Sequence, residues 1–357
     1  TSLALKLNKP VLSLTNIDYN DHGLSDLLTE KGDAYEINLE VYYMLRDTIT
    51  GWPGGKVNTS HIHHPERSTP FPKKVLIFSP HPDDDIISMG GTFMRLHDQG
   101  HDVHVGYQTS GNIAVTDEFV TRFIDFAVGF ENIFGIDDTK SKKILDDATA
   151  FLNSKKSTEK DSEEIRNIKG LIRRCEARAA AKYVGVTDEQ IHFMNLPFYE
   201  TGTIEKNPMG EEDVQLTMDL LRQIKPQQVF CAGDLADPHG THKVCLDVVI
   251  EAIARIRADG GDKWIDDCWI WLYKGAWQEW DITEIEMAIP MSPDQVRKKR
   301  YGIFIHQSQK DSVPFQGDDN REFWQRAEER NASTAKLYGQ LGLTQYAAME
   351  AFVRWKV

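Results

Sequence analysis

His81, Asp83, Asp84 and Asp85 lie together in the run Ser-Pro-His-Pro-Asp-Asp-Asp at residues 79–85. Three carboxylates beside an imidazole repel one another unless a cation sits among them. A helix N-terminus also favours Asp, through capping and its dipole, but one Asp meets that need. A second run, Asp237-Pro238-His239-Gly240-Thr241-His242, sets two histidines three positions apart. Imidazole and carboxylate from the first run, with imidazole from the second, would give a divalent cation three protein ligands and an open position for water. That is the arrangement of a catalytic zinc. Water held that way ionises near pH ~7, and a carboxylate outside the ligand set then has the task of general base.

The elements around these runs alternate. Residues 75–78, Val-Leu-Ile-Phe, predict a short buried strand, followed by a helix over 86–99 that Gly100 would stop and a second strand over 101–109. A helix over 162–184, ended by Gly185, leads to a strand over 190–195. A helix over 211–224, stopped by Pro226, leads to a strand over 228–232, a polar loop over 234–240 and a helix over 241–257. Residues 269–273 and 284–289 read as late strands, and 292–309 and 320–341 as helices. Residues 118–134 look helical, while 137–161, charged and poor in aromatic residues, read as a surface excursion. The alternation predicts an α/β fold: a Rossmann-like, mostly parallel sheet flanked by helices on both faces. Both chemical runs then follow strands, at the carboxyl edge where such sheets bind ligands.

A net charge of −14 over 357 residues argues against nucleic acid or an anionic membrane as partner. The four cysteines show no Cys-x-x-Cys spacing and read as reduced thiols. No apolar run approaches the ~20 residues that span a bilayer, and the start lacks a signal pattern, so a cytoplasmic location is expected. Residues 1–72 read as an N-terminal extension and linker: an apolar run at 10–14, turn residues at 16–23, an amphipathic segment at 36–48 and Gly/Pro-rich stretches after it. The remaining 73–357 form the main domain. Other candidates have blander readings. His61, His63 and His64 suit a polar linker, His101, Asp102 and His104 a strand edge, and residues 297–300 a solvated helix face. Gly90-Gly91 suits a close approach of the helix to a strand or ligand. Trp269 and Trp271 suit core, while Trp277 and Trp280 stay open as sugar-stacking groups.

The two runs resemble the marks of the PIG-L/LmbE-like family of zinc-dependent N-deacetylases: a His-Pro-Asp-Asp-acid motif after the first strand and a later His-x-x-His. The resemblance implies Zn2+ held by His81, Asp84 and His242, Asp83 as base, and His239 steadying the oxyanion. The family's Arg-x-x-Glu helix is matched by Arg173 to Glu176, and its closing His-x-Ser-Gln by His306 to Gln309. Arg173 and His306 are thereby candidate substrate contacts. Two departures stand out: Asp85 where the family more often has Glu, and Gly240-Thr241 where many members have Pro-Asp. Asp85 is expected to orient the ligands from behind, and Asp237 or Asp234 to replace the missing carboxylate beside His239.

Residues 12–27 and 48–55 are similar to the segment joining a deaminase domain to an LmbE-like domain in long bacterial glucosamine-6-phosphate deaminase fusion proteins. The implied substrate is a small amino sugar, such as N-acetylglucosamine or its 6-phosphate. The implied partners are a fused or associated hexosamine-phosphate deaminase domain and further copies of the chain in a homo-oligomer. The competing reading is a non-catalytic, regulatory module with a structural metal site, which Gly240-Thr241 keeps open.

Overall fold

The computed structural model describes residues 1–59, 61–156, 159–203, 205–234, 240–276, 278–310 and 321–356. Four helices come first: α1 (Ser2–Leu7), α2 (Asn16–Asp21), α3 (Ser25–Lys31) and α4 (Ala34–Thr48). The alternating part follows as β1 (Lys74–Ser79), α5 (Asp84–Asp98), β2 (Asp102–Tyr107), α6 (Asp117–Phe134), α7 (Thr139–Ser154) and α8 (Glu163–Val184). Next come β3 (Ile191–Phe193), α9 (Glu211–Ile224), β4 (Gln228–Ala232), α10 (Thr241–Asp259) and β5 (Trp269–Tyr273). The chain closes with β6 (Met287–Met291), α11 (Pro293–Phe304), α12 (Gln307–Lys310), α13 (Phe323–Gln340) and β7 (Ala348–Trp355).

The seven strands form one sheet in the order β3-β2-β1-β4-β5-β7-β6. The first five run parallel, and β7 and β6 complete the sheet in antiparallel pairing. Both faces are covered, which is why β1 and β4 read as unbroken apolar runs rather than alternating ones. On one face Val75, Ile77 and Val105 meet Phe93 of α5 and Ala177 and Ala181 of α8. On the other, Leu76, Phe78 and Val229 meet Leu221 of α9 and Val249 and Ile253 of α10. The expected mostly parallel, two-sided α/β sheet is the fold observed.

Residues 1–59 are packed against the sheet. Leu14, Ile37 and Leu45 share a core with Ala288, Tyr338 and Met349, and Ile49 bridges to Ala288 at the β6 edge. Pro53 O accepts a hydrogen bond from Gln228 Nε2 at 3.2 Å, so part of the Gly/Pro stretch is stitched to β4. Residues 16–21, expected as turns, form α2 because the Thr15 and Asp18 side chains bond each other's backbone N–H groups in a capping box. The charged excursion holds α7, which packs on α6. His101 is buried before β2, where it accepts a bond from Lys73 N at 3.0 Å, rather than standing at the sheet surface. Lys299, expected on a solvated helix face, is buried: its Nζ donates to Glu350 Oε1 at 2.7 Å and Asn331 Oδ1 at 2.9 Å.

Candidate metal centre and catalytic site

Strands β1 and β4 are adjacent, yet the chain leaves β1 toward β2 on one side and reaches β4 only after β3. The carboxyl ends of β1 and β4 therefore flank the point where strand order reverses, where an open α/β sheet forms its crevice. His81, Asp83, Asp84 and Asp85 follow β1, and His242 stands in the first turn of α10, which follows β4.

One donor atom from each of His81, Asp84 and His242 lies within 4.8 Å of the other two, the one such cluster among the described residues. Asp84 Oδ2 is at the centre. It is 3.2 Å from His81 Nδ1, 3.3 Å from His242 Nε2, and accepts a bond from His81 N at 2.8 Å. Burial alone would raise the Asp84 carboxyl, but the His242 and His81 imidazoles outweigh it and hold the acid well below its usual range. Two imidazoles and a buried ionised carboxylate are the donor set zinc prefers, so the residues present fit that metal. His81 is further packed by Tyr199, whose ring meets it edge-on at a centroid distance of 5.9 Å. At Gly275 the close approach matters: a Cβ there would lie 3.1 Å from Asp234 Oδ2 and 3.6 Å from His242 Cε1.

Asp83 occupies the N-cap position of α5 but makes no capping bond with its side chain. Its carboxylate instead faces Arg173 of α8, Oδ1 to Nη2 at 3.1 Å, and both groups are buried. The helix-cap explanation of this aspartate therefore fails. Among the described residues Arg173 Nε and Nη1 have no hydrogen-bond partner, nor does either ring nitrogen of buried His306, whose imidazole burial drives down to about 4. Asp83 and His306 line one small cavity with Ile87, Phe323 and Trp324. Arg173 is placed by Gly111, whose φ of 63° lets its backbone pass where a Cβ would stand 2.9 Å from Arg173 Nε. His306 is placed by Glu176: Ser308 N and Oγ donate to the Glu176 carboxylate at 2.7 and 2.6 Å. The Arg-x-x-Glu and His-x-Ser-Gln segments are thus two sides of one contact.

Asp85 has a different task from its neighbours. It is buried beneath the loop, accepting from Ser79 Oγ at 3.2 Å and from Tyr107 Oη at 3.0 Å, and burial pushes it up to about 7. Ser79 Oγ also donates to His81 O at 2.6 Å, so the Asp85 side chain is linked to His81 through Ser79 and the backbone. His239 and Asp237 lie outside the described residues, as does Trp277. Trp271 is core and Trp269 half-buried beneath the Arg354 guanidinium, 3.4 Å from the ring centroid.

Sequence reasoning missed the groups that hold α5 in place. The helix is broken at Met89, with φ −137° and ψ 25°. A straight helix would give the Gly91 and Thr92 N–H groups to the carbonyls four residues back. They go instead to Glu350 of β7, at 2.9 and 2.6 Å, with Thr92 Oγ1 adding a bond at 2.6 Å. The Ser88 carbonyl is taken by Arg330 Nη2 at 3.0 Å, while Nη1 of the same guanidinium donates to Lys274 O at 2.6 Å and to Gly275 O. Arg330 thereby joins the helix that carries Asp84 to the loop that backs His242. Gly90-Gly91 was the visible trace of this contact: a Cβ at Gly91 would lie 2.2 Å from Met291 Sδ and 3.3 Å from Glu350 Oε1.

Residues 76–253 match the family model described as PIG-L, GlcNAc-PI de-N-acetylase. A putative glucosamine-6-phosphate deaminase-like protein of Bacteroides thetaiotaomicron is 56% identical over 348 residues, 97% of this chain but 52% of its own length. The chain therefore spans about half the length of that relative. Diacetylchitobiose deacetylase of Thermococcus kodakarensis is 49% identical over 45 residues, 13% of this chain and 17% of that protein. Among solved structures, N,N'-diacetylchitobiose deacetylase from Pyrococcus horikoshii shares the fold with a TM-score of 0.50, at 21% identity over 79% of this chain and 84% of that one. Through residues 76–253, which carry both the His-Pro-Asp-Asp run and the His-x-x-His run, the chain belongs to the PIG-L family.

Proposed function

We propose that this chain is a zinc-dependent N-deacetylase that removes an acetyl group from a small amino sugar. The observation carrying the proposal is the convergence of His81, Asp84 and His242, with an uncapped Asp83 beside them held by Arg173. His81, Asp84 and His242 are the residues that would hold zinc, which when bound lowers the pKa of water toward ~7 and polarises an amide carbonyl. Asp83 accepts the proton of the attacking water and returns it to the leaving nitrogen, giving acetate and a free amine. Arg173 fixes the Asp83 carboxylate and offers Nε and Nη1 to substrate oxygens. His306, neutral near pH 7, offers a ring N–H or a lone pair from the same cavity. His239 is the candidate to steady the oxyanion. The names of the Thermococcus deacetylase and of the matching family model support the reaction class, and the deaminase-like name of the Bacteroides relative supports a hexosamine phosphate as substrate.

The test is acetate release from acetylated amino sugars, with and without a 6-phosphate, by zinc-loaded protein. Asp83→Asn should lose most turnover and keep stoichiometric zinc, whereas a non-catalytic module would lose nothing. His242→Ala should lose both. Zinc retained at one equivalent by the His242→Ala protein refutes the ligand assignment.

A further inference from the structure

Helix α6 carries two apolar stripes. Val120, Ile124 and Val128, four residues apart, are buried, and the first two share a core with Ala148 of α7 and Ile165 of α8. The second stripe is Phe119, Phe123, Phe126, Phe130 and Ile133, at intervals of four, three, four and three. That 3.5-residue repeat is the seam of one helix packed along another. Phe119 is half-buried and the rest of the stripe faces solvent: Phe126 is 69% exposed, Phe130 46% and Ile133 80%, with Phe134 at 66% and Ile136 at 51% extending it. Taking ~200 Å² for each fully exposed aromatic side chain, the uncovered apolar face amounts to roughly 700–800 Å². Typical monomers carry no patch above roughly 300–600 Å², and a stable interface takes about 800 Å² from each partner.

Charge and spacing choose among the occupants. Helices that lie on anionic lipid present Lys and Arg beside the apolar face. α6 has Asp117, Glu118, Asp125 and Glu131 against Arg122 alone, on a chain of net charge −14, so such a surface repels it. A seam of 3.5-residue spacing fits a helix of the same spacing, and a second copy of this chain supplies one. An isologous pair places the same stripe on both sides, which a symmetric apolar seam satisfies without any complementary patch elsewhere. We propose that the protein self-associates through α6, the two copies crossing antiparallel about a two-fold axis near Phe126.

The test uses the whole chain in sedimentation velocity over a concentration series, with Phe126→Asp/Phe130→Asp as the variant. Both side chains face solvent, so thermal melting followed by circular dichroism should be unchanged and confirm folding. The unsubstituted protein should sediment as a dimer and the variant as a monomer, with a dimer Kd raised at least ~100-fold. A Cys175→Ser background removes the one exposed thiol among the described residues. In it, Phe126→Cys should form a disulfide-linked dimer on mild oxidation, because a residue on the axis lies beside its own copy, and Phe119→Cys should not. Four results overturn the proposal: a monomer at tens of micromolar, an oligomer indifferent to the double substitution, equal crosslinking at both positions, or binding of the α6 face to phosphatidylserine vesicles in place of dimerisation.

Discussion

Glu350→Gln removes one charge and changes almost no volume, and the structure sets what it should cost. The carboxylate is buried and accepts from Gly91 N, Thr92 N, Thr92 Oγ1 and Lys299 Nζ, all between 2.6 and 2.9 Å. Burial would raise this acid, but Lys299 and the bonds from Thr92 and Gly91 overcome it, so the group is ionised in the folded state. The amide keeps one acceptor oxygen and turns an NH2 group toward a donor, leaving at least one α5 N–H unmet and Lys299 as an uncompensated buried cation. Breaking a buried ion pair from one side costs about 3–5 kcal/mol, and an unmet buried donor about 1–3 kcal/mol. These overlap, so the loss should be about 4–6 kcal/mol, a large part of the 5–15 kcal/mol that holds a domain folded. With a urea m value of about 3 kcal/mol/M, the unfolding midpoint should fall by more than 1 M. Adding Lys299→Met removes the stranded cation, so the double variant should recover roughly half the loss while the α5 amides stay unmet. A loss below about 1 kcal/mol, or a double variant no better than the single, refutes the account of Glu350 as ion partner and helix anchor together.

Arg330→Leu should leave Ser88 O and Gly275 O unmet, lowering turnover at least tenfold and weakening zinc affinity measured against a competing chelator; unchanged affinity would show that the α5 break and the His242 loop are positioned independently. Gly111→Ala must carry a Cβ at φ 63° within 2.9 Å of Arg173 Nε, so kcat should drop at least tenfold with zinc still bound, and a full-rate enzyme would exclude Arg173 from substrate contact. His101 and His192 are lowered to about 4, first by burial and then by Lys73 and His104 respectively, from 6.5 when unfolded. The unfolded chain then binds more protons between those values, so stability is full above pH 6.5 and is lost as pH falls toward 4. His101→Gln should flatten that part of the urea-midpoint profile, and an unaltered slope would show that His101 does not contribute to it.

The sequence was most informative where local signals and burial agreed. β4 and β5, buried on both faces, and α9, begun by an acidic first turn and stopped before Pro226, were placed with the bounds observed. Strand β7 was invisible because Glu350 interrupts its apolar run, and that glutamate makes sense only beside Lys299 and the α5 break, neither near it in sequence. Helices α1, α2 and α3 have six or seven residues, too few to be stable alone, so the contacts that hold them are tertiary. A histidine beside three aspartates was legible from composition and spacing, but that Asp84 is the one to meet His81 came from the family resemblance and from the 3.2 Å between them. His242 was legible as a type of residue in a loop of the right kind, but the 3.3 Å to Asp84 is a property of the sheet.

That last distance depends on strand register. β1 and β4 pair with Val75 beside Gln228, Leu76 beside Val229 and Ile77 beside Phe230, so the loops that follow Ser79 and Ala232 emerge side by side. A slip of one residue would carry His242 about 3.3 Å along the strand, as far as its whole separation from Asp84, and would turn every β4 side chain to the opposite face. One bond outside the ladder opposes such a slip directly, Lys74 N donating to Gln227 Oε1 at 2.6 Å where β1 and β4 start, while Tyr273 Oη of β5 reaches across to Phe78 O of β1 at 2.6 Å and fixes the strands on either side of β4. Asp85 acts at the same level, tying the turn after β1 to Tyr107 at the end of β2. The carboxylate that ordinary N-terminal chemistry would place on the helix surface is therefore buried among strand ends. It sets where His81 and Asp84 stand relative to the sheet, and the β1–β4 register sets where His242 meets them.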